Sequence, residues 1–451
     1  MAFPISMASP VRFAAPLPAK ADVVVIGAGV IGVMTAWHLR KRGLSVVLCE
    51  KGRVAGEQSS RNWGWVRQQG RDAAELPIMI EASGMWDGLT AEAEADLGFR
   101  RSGVLYIANT EQDQADHEAF MALARLHQLD TRLLSAAEVR AMLQGAADHW
   151  PNGLRGGLWT ASDGRAEPWV AVPALAAAAA RMGVTVLEDC AVRGLDLAAG
   201  RVAGVVTEKG RVACDAVVLA GGAWSSLFLR RHGAAIPQLS VLSSVAQTAP
   251  MPEIFAGAAT DGYFAFRRRL DGGYSIAPGD FHEFFIGPDA FRNLRAFLPE
   301  VMKDPFGQRY RPMAPAGYPD AWATPRRWSF DAASPFEAMR VLDPRPSMGA
   351  LAKVQDLFAQ AFPALGRPQI TSAWAGMIDT MPDVVPVVDH VPGLAGLVVA
   401  TGMSGHGFGI GPAMGRVVAD LVTGHPVGHD LTRFRFGRFT DGSRIAGGPS
   451  L

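Results

Sequence analysis

Short apolar runs recur along the chain, and each ends at glycine or at an acid. Val23-Val-Val-Ile runs into Gly27, and Val46-Val-Leu-Cys49 runs into Glu50. Ala216-Val-Val-Leu-Ala220 runs into Gly221, and Gly396-Leu-Val-Val-Ala400 runs into Thr401-Gly402. Runs of this length, closed by turn residues, read as strands buried on both faces of a parallel sheet. Helical spacing covers Glu75–Leu97, Glu111–Gln128, Ala136–Met142, Pro168–Met182 and Met348–Phe362. Further strands are expected at Arg101–Ala108 and Val184–Glu188, with a hairpin turning at Glu208-Lys209-Gly210. From Leu239 to about Gln369 the pattern changes to short alternating strands, as at Tyr263–Arg268 and Gly273–Ala277, the mark of an antiparallel sheet. Residues 285–345 are rich in proline, arginine and aromatics and have little periodicity. The tail returns to strand, glycine-rich loop and helix, with Pro412 placed in the first helical turn and Gly424 past its end.

The region Asp22–Glu50 joins strand, turn, helix and strand in one unit. Its turn reads Gly27-Ala-Gly29-Val-Ile-Gly32, and its second strand ends in Glu50. Each residue type has a physical task in binding a dinucleotide. Gly27 permits the tight turn, Gly29 lets a pyrophosphate approach the backbone, and Gly32 lets the helix pack on the strand. The helix N-terminus offers unpaired N–H groups to phosphate. Glu50 stands where a carboxylate can accept hydrogen bonds from ribose hydroxyls. The fold class expected is α/β (α+β overall), a Rossmann-like cofactor domain interrupted by a mostly antiparallel substrate domain with an irregular, helical subdomain. The pieces are a flexible arm at 1–20, a discontinuous cofactor domain at 21–90, 160–238 and 375–440, and a substrate domain at 91–159 and 239–374. An NAD-dependent dehydrogenase more often keeps its cofactor domain in one block, so the interruption favours FAD.

The 451 residues are 49% apolar and 19% charged, enough for a large core. Lys plus Arg and Asp plus Glu are 43 each, so no net field draws the chain to nucleic acid or anionic membranes. Cys49, Cys190 and Cys214 show no metal or disulfide spacing and read as buried thiols in a reducing, cytoplasmic setting. No metal site is expected. No uncharged apolar run reaches the length of a membrane span.

Four blocks together resemble the D-amino-acid oxidase superfamily of FAD enzymes, which includes glycine and sarcosine oxidases. They are the first unit, Ala216–Trp224, Trp374-Ala-Gly-Met-Ile-Asp-Thr-Met-Pro-Asp383 and Gly402–Pro412. Ala55-Gly-Glu-Gln-Ser-Ser-Arg61, Val206–Gly210 and Ser334-Pro-Phe-Glu337 resemble, more narrowly, bacterial membrane-associated L-amino acid deaminases. The chain lacks their N-terminal membrane helix, and Asn62-Trp63-Gly64-Trp65 replaces their usual continuation. The resemblance implies a cofactor site built from Gly27, Gly29, Gly32, Glu50, Lys51, Ser59, Ser60, Arg61, Val192, Gly221, Gly222, Gly402, Met403, Gly405, His406 and Gly407. It implies noncovalent FAD, because none of the cysteines lies in the C-terminal region that carries covalent flavin in sarcosine oxidases.

Arg267 matches an arginine of the deaminase pattern, and a guanidinium binds a substrate carboxylate bidentately. Strand alternation puts Arg267 and Arg269 on one face and Arg268 on the other. Trp374, Trp63 and Trp65 are candidates for an apolar pocket wall, and His406 is a flavin-adjacent candidate. The expected activity is oxidative deamination of L-amino acids to 2-oxo acids and ammonia, by hydride transfer from Cα to flavin N5. The acceptor is O2 or a quinone- or dye-type oxidant, and a homo-oligomer is possible. The alternatives are an enzyme of D-amino or N-methyl amino acids (sarcosine or glycine type) and a flavoprotein subunit of a larger dehydrogenase complex.

Overall fold

The computed structural model describes residues 4–443, 445, 447 and 448, apart from 152, 280 and 304–306. A six-stranded sheet runs in the order Val387–His390, Leu397–Thr401, Ala216–Leu219, Val23–Ile26, Val46–Cys49, Thr185–Leu187. All its neighbours are parallel except the first pair. The strands come from distant parts of the chain. Their carboxyl ends open into residues 27–29, 50–53, 220–222 and 402–406, the edge at which parallel sheets bind ligands.

A second sheet, expected to belong to the substrate domain, is ten-stranded and mostly antiparallel and includes Val104–Ala108, Gly156–Thr160, Leu239–Thr248, Phe264–Arg268 and Tyr274–Pro278. Ile370–Thr380 pairs with Leu239–Thr248 along its whole length. That strand crosses residue 375, so the substrate sheet extends past the boundary drawn from the sequence. The helix Met348–Ala361 lies over this sheet with Leu351, Val354 and Phe358 in the core. Among the described residues between Phe285 and Pro346 lie only short helices, one strand and irregular chain, in keeping with the weak periodicity there.

Two expectations are corrected. Residues 4–20 are not a loose arm. Ile5 is 4% exposed, Ala14 bridges to Leu187 and Lys20 to Ala213. The Glu188 carboxylate accepts from the backbone N–H groups of Arg12 and Phe13 at 2.6 and 3.3 Å. The prolines set an extended path along the sheet edge and leave its backbone donors available to that acid. The second correction concerns the glycine-rich tail. The helix begins at Gly407 and runs to Thr423, with Pro412 inside it. Its glycines serve close packing on the helix Val30–Lys41. A Cβ at Gly411 would stand 2.5 Å from Val30, and one at Gly415 would stand 2.5 Å from Met34.

Candidate active site

One cavity of about 980 Å³ runs from the carboxyl edge of the parallel sheet to the face of the antiparallel one. At the sheet end its wall is made by the glycine turn. Gly27 has φ +99°, a left-handed conformation open to glycine, and its Cβ would collide with Ala220 O at 2.5 Å. A Cβ at Gly32 would lie 1.9 Å from Gly27 O, so strand and helix meet with no room for a side chain. The Glu50 carboxylate accepts from Ala28 N–H at 2.9 Å and Gly52 N–H at 2.8 Å. Burial pushes its pKa up to about 7, against the pull of Lys51 beside it. Ser59 Oγ accepts from Val30 N–H at 2.9 Å and so fixes the polar loop to the helix N-terminus.

Gly27, Gly29, Glu50, Lys51, Ser59, Arg61, Val192, Gly221, Gly222, Met403, Gly405, His406 and Gly407 all line this cavity. Gly32 stands behind the wall, where its lack of a side chain acts. Gly402, with φ +72°, lies just beneath and donates to Asp379 at 2.7 Å. Three cofactor expectations change in character. Ser60 is fully buried outside the lining, its hydroxyl turned to Glu57 O at 3.5 Å. The Arg61 guanidinium is committed to Gly56 O, Ala375 O, Ile5 O and Asp343 at 2.6–3.0 Å. It ties the N-terminal segment to the substrate sheet and has no spare fork for a pyrophosphate. Lys51 Nζ contacts Glu57, Met339 O and Arg340 O at 2.5–3.0 Å and sits over the Trp224 ring, and so anchors the irregular subdomain.

Arg267 requires the largest correction. It is 1% exposed, does not line the cavity, and forms a two-pronged pair with Glu167 at 3.0 and 3.1 Å. Its guanidinium also approaches Ser275 Oγ at 3.3 Å and the Trp169 ring at 5.8 Å. The alternation itself holds. Arg269 also reaches Ser275 and Trp169, whereas Arg268 turns to Met251 O and Tyr274. The partner that neutralises Arg267 lies 100 residues away in the chain, at the start of another helix. Trp374, also 1% exposed, lies outside the lining, donates to Arg61 O at 3.0 Å and packs behind Trp63. Trp63 and Trp65 do line the cavity, edge to face with centroids 5.3 Å apart, and Tyr106 lies 6.1 Å from Trp65.

Arg67, which the sequence reading passed over, lines the cavity together with Arg53, Arg61 and Arg71. It lies 5.6 Å over the Tyr106 ring and donates to Gln69 O. Among the described residues no carboxylate forms an ion pair with it. Arg71 stands beside it, donating to Arg67 O and to His406 O, each at 3.1 Å. The signal available was a pair of arginines at four-residue spacing in a polar loop. Asp379 was missed in the same way. It accepts from Gln58, Gln238 and Gly402 N–H at 2.8, 3.0 and 2.7 Å and holds the glycine loop in place. An acid inside the apolar run Trp374–Met381 was its trace.

The His406 Nδ1 is 3.1 Å from Glu75 Oε2. Burial and then the Arg71 charge push the imidazole down to about 4, so it is neutral at pH 7.

Residues 22–421 match the family described as FAD dependent oxidoreductase. The chain belongs to that family. The fold is that of L-amino acid deaminase from Proteus myxofaciens, solved with anthranilate, at 30% identity and a TM-score of 0.90 over 97% of both chains. The sarcosine oxidase subunit beta of Rhodobacter capsulatus is 25% identical over 446 residues, 96% of this chain and 94% of that protein. Human mitochondrial sarcosine dehydrogenase is 31% identical over 235 residues, and that match spans 50% of this chain but only 25% of the relative. FAD is therefore the cofactor of this chain, and the glycine turn, Glu50 and the loops around 220–222 and 402–407 border the cavity that could hold it. Among the described residues no cluster of metal-ligating side chains occurs, and no helix is long and apolar enough to cross a membrane.

Proposed function

We propose that this flavoenzyme oxidatively deaminates L-amino acids to 2-oxo acids and ammonia. FAD, noncovalently held, supplies the acceptor at N5 for the hydride lost from Cα. The observation that carries the reading is Arg67, a guanidinium that forms no ion pair among the described residues, in a cavity shared by a dinucleotide cradle and a wall of Trp63, Trp65 and Tyr106. A charged fork of this kind binds a carboxylate, and the aromatic wall suits a bulky side chain. Arg67 thus takes the part first expected of Arg267. The likeness to a Proteus L-amino acid deaminase over 97% of the chain supports the L-series. The electrons pass on to O2 or to a quinone- or dye-type acceptor.

The sarcosine oxidase and sarcosine dehydrogenase relatives support a second reading, oxidation of N-methyl amino acids, alone or as a subunit of a complex. Anaerobic mixing of the yellow enzyme with single L-amino acids, their D-enantiomers and sarcosine separates the two. Flavin bleaching by L-substrates with bulky side chains is the expected result. Bleaching by sarcosine or D-alanine alone would replace the proposal with the second reading.

A further inference from the structure

The loop that carries Arg67 is pinned from outside the cavity. The strand Trp65–Val66 pairs with Gly164–Arg165, with Val66 opposite Gly164. That pairing sets Asp163, the residue just before the second strand, beside residues 67–69. Asp163 is fully buried and does not line the cavity. Its Oδ1 accepts from Gln68 N–H at 2.7 Å and from Gln68 Nε2 at 3.2 Å, and its Oδ2 accepts from Gln69 N–H at 3.3 Å. The Gln69 side chain is buried and held as well. Thr160 Oγ1 donates to its Oε1 at 2.9 Å, and its Nε2 donates to Leu158 O at 3.2 Å.

This run of contacts ends on the guanidinium. Arg67 Nη1 donates to Gln69 O, so the carbonyl that fixes Arg67 belongs to the residue whose N–H Asp163 holds. Gly70, at φ +69°, lets the chain turn tightly there, and a Cβ on it would stand 3.0 Å from Arg67 Nη1. An arginine on a loop otherwise keeps its rotamer freedom, and ordering it on binding weakens the ligand's hold. A guanidinium already fixed by its own loop avoids that loss. The arrangement works against folding. Burial pushes the Asp163 carboxyl up to about 6, against the pull of its Gln68 and Gln69 contacts and of Arg67. A carboxylate buried at such cost, next to a residue of the cavity wall, is characteristic of a site and not of a core.

We propose that Asp163 is a positioning residue for the substrate anchor, acting through Gln69 to pre-order the Arg67 guanidinium for a carboxylate. This rests on the reading of Arg67 as that anchor.

The test is Asp163→Asn in the FAD-loaded enzyme. Asn keeps the size and one acceptor, but its NH2 group sets a donor against the N–H groups that the second oxygen and the first now share. It strands no charge, so melting temperature and FAD content should stay near wild type. Benzoate, a carboxylate without an amine, is the probe, with its Kd read from the flavin absorption spectrum. That Kd should rise about tenfold, the weight of one hydrogen bond to a charged group. KM for L-phenylalanine should rise in parallel while kcat stays within about twofold, the pattern of lost binding and not of lost chemistry. Thr160→Val removes the donor to Gln69 Oε1 and should move both values the same way by a smaller factor, and it carries the test if Asp163→Asn does not fold. The double variant Arg67→Ala/Asp163→Asn should match Arg67→Ala in kcat/KM within about twofold, because a positioning effect vanishes with the residue positioned. An unchanged benzoate Kd and KM in Asp163→Asn, or a loss undiminished in the Arg67→Ala background, would overturn the inference alone. If Arg67→Ala itself holds benzoate as tightly as wild type, the proposed function loses its anchor and the inference falls with it.

Discussion

Replacing Arg267 by methionine tests whether this arginine is structural. Met keeps the apolar stem and deletes the fork. Glu167 then loses both contacts, at 3.0 and 3.1 Å, and keeps only the Leu270 N–H at 3.0 Å. Breaking one side of a buried ion pair costs about 3–5 kcal/mol, because the remaining charge is stranded. Arg269 also acts on Glu167, which places the expected loss near the lower end, about 3 kcal/mol. Urea unfolding of the FAD-loaded enzyme, followed by tryptophan fluorescence, measures it. The double variant Arg267→Met/Glu167→Leu removes the stranded charge and should recover more than half of the loss. Activity per bound flavin should stay near wild type, because Arg267 does not line the cavity. A loss below about 0.5 kcal/mol would refute the stranded-charge argument. A hundredfold fall in kcat/KM with stability intact would return Arg267 to the substrate.

Arg67→Ala should behave in the opposite way, with FAD content and stability nearly unchanged. Its kcat/KM should fall about a hundredfold or more, since a charged two-pronged contact is worth roughly 3 kcal/mol or more and each 1.36 kcal/mol is tenfold; steady-state assays with flavin-normalised enzyme decide it. Gly32→Ala should abolish FAD retention on gel filtration, because its Cβ would stand 1.9 Å from Gly27 O and force the turn open. In FAD-free protein, Glu50 titrates near 7 when folded against an ordinary 4.5, so its contribution to stability is full below about 4.5 and is lost as pH rises through 7. Melting temperatures at pH 5 and pH 8 should therefore differ less in Glu50→Gln than in wild type, and an equal difference in both proteins would refute the assignment.

What the sequence determined by itself is mostly local. A strand buried on both faces must be an unbroken apolar run, and a turn at φ +99° must be glycine, so the cofactor unit is written in consecutive residues. The helices at 136–142, 168–181 and 348–361 follow from spacing alone. Much of the discontinuous sheet was also legible, because Val23–Ile26, Ala216–Leu219 and Leu397–Thr401 are apolar runs that end at glycine and Val46–Cys49 is one that ends at an acid, whereas Val387–His390 carries no such signature. Pairing and packing are different in kind. Arg61, Arg67 and Arg267 are chemically identical, and each one's role depends on which acid or carbonyl the fold sets against it. Asp343 and Glu167 neutralise two of them from 282 and 100 residues away, and Arg67 is left facing the cavity. Gly411 looks like a loop residue, and the packing role of Gly411 and Gly415 shows only when the helix Val30–Lys41 is laid against them. His406 acquires its acidic neighbour only when Glu75, 331 residues distant, folds against Nδ1. Chemistry that resides in one residue's conformation is visible in sequence, and chemistry that resides in a charge balance between distant residues is decided by the tertiary structure.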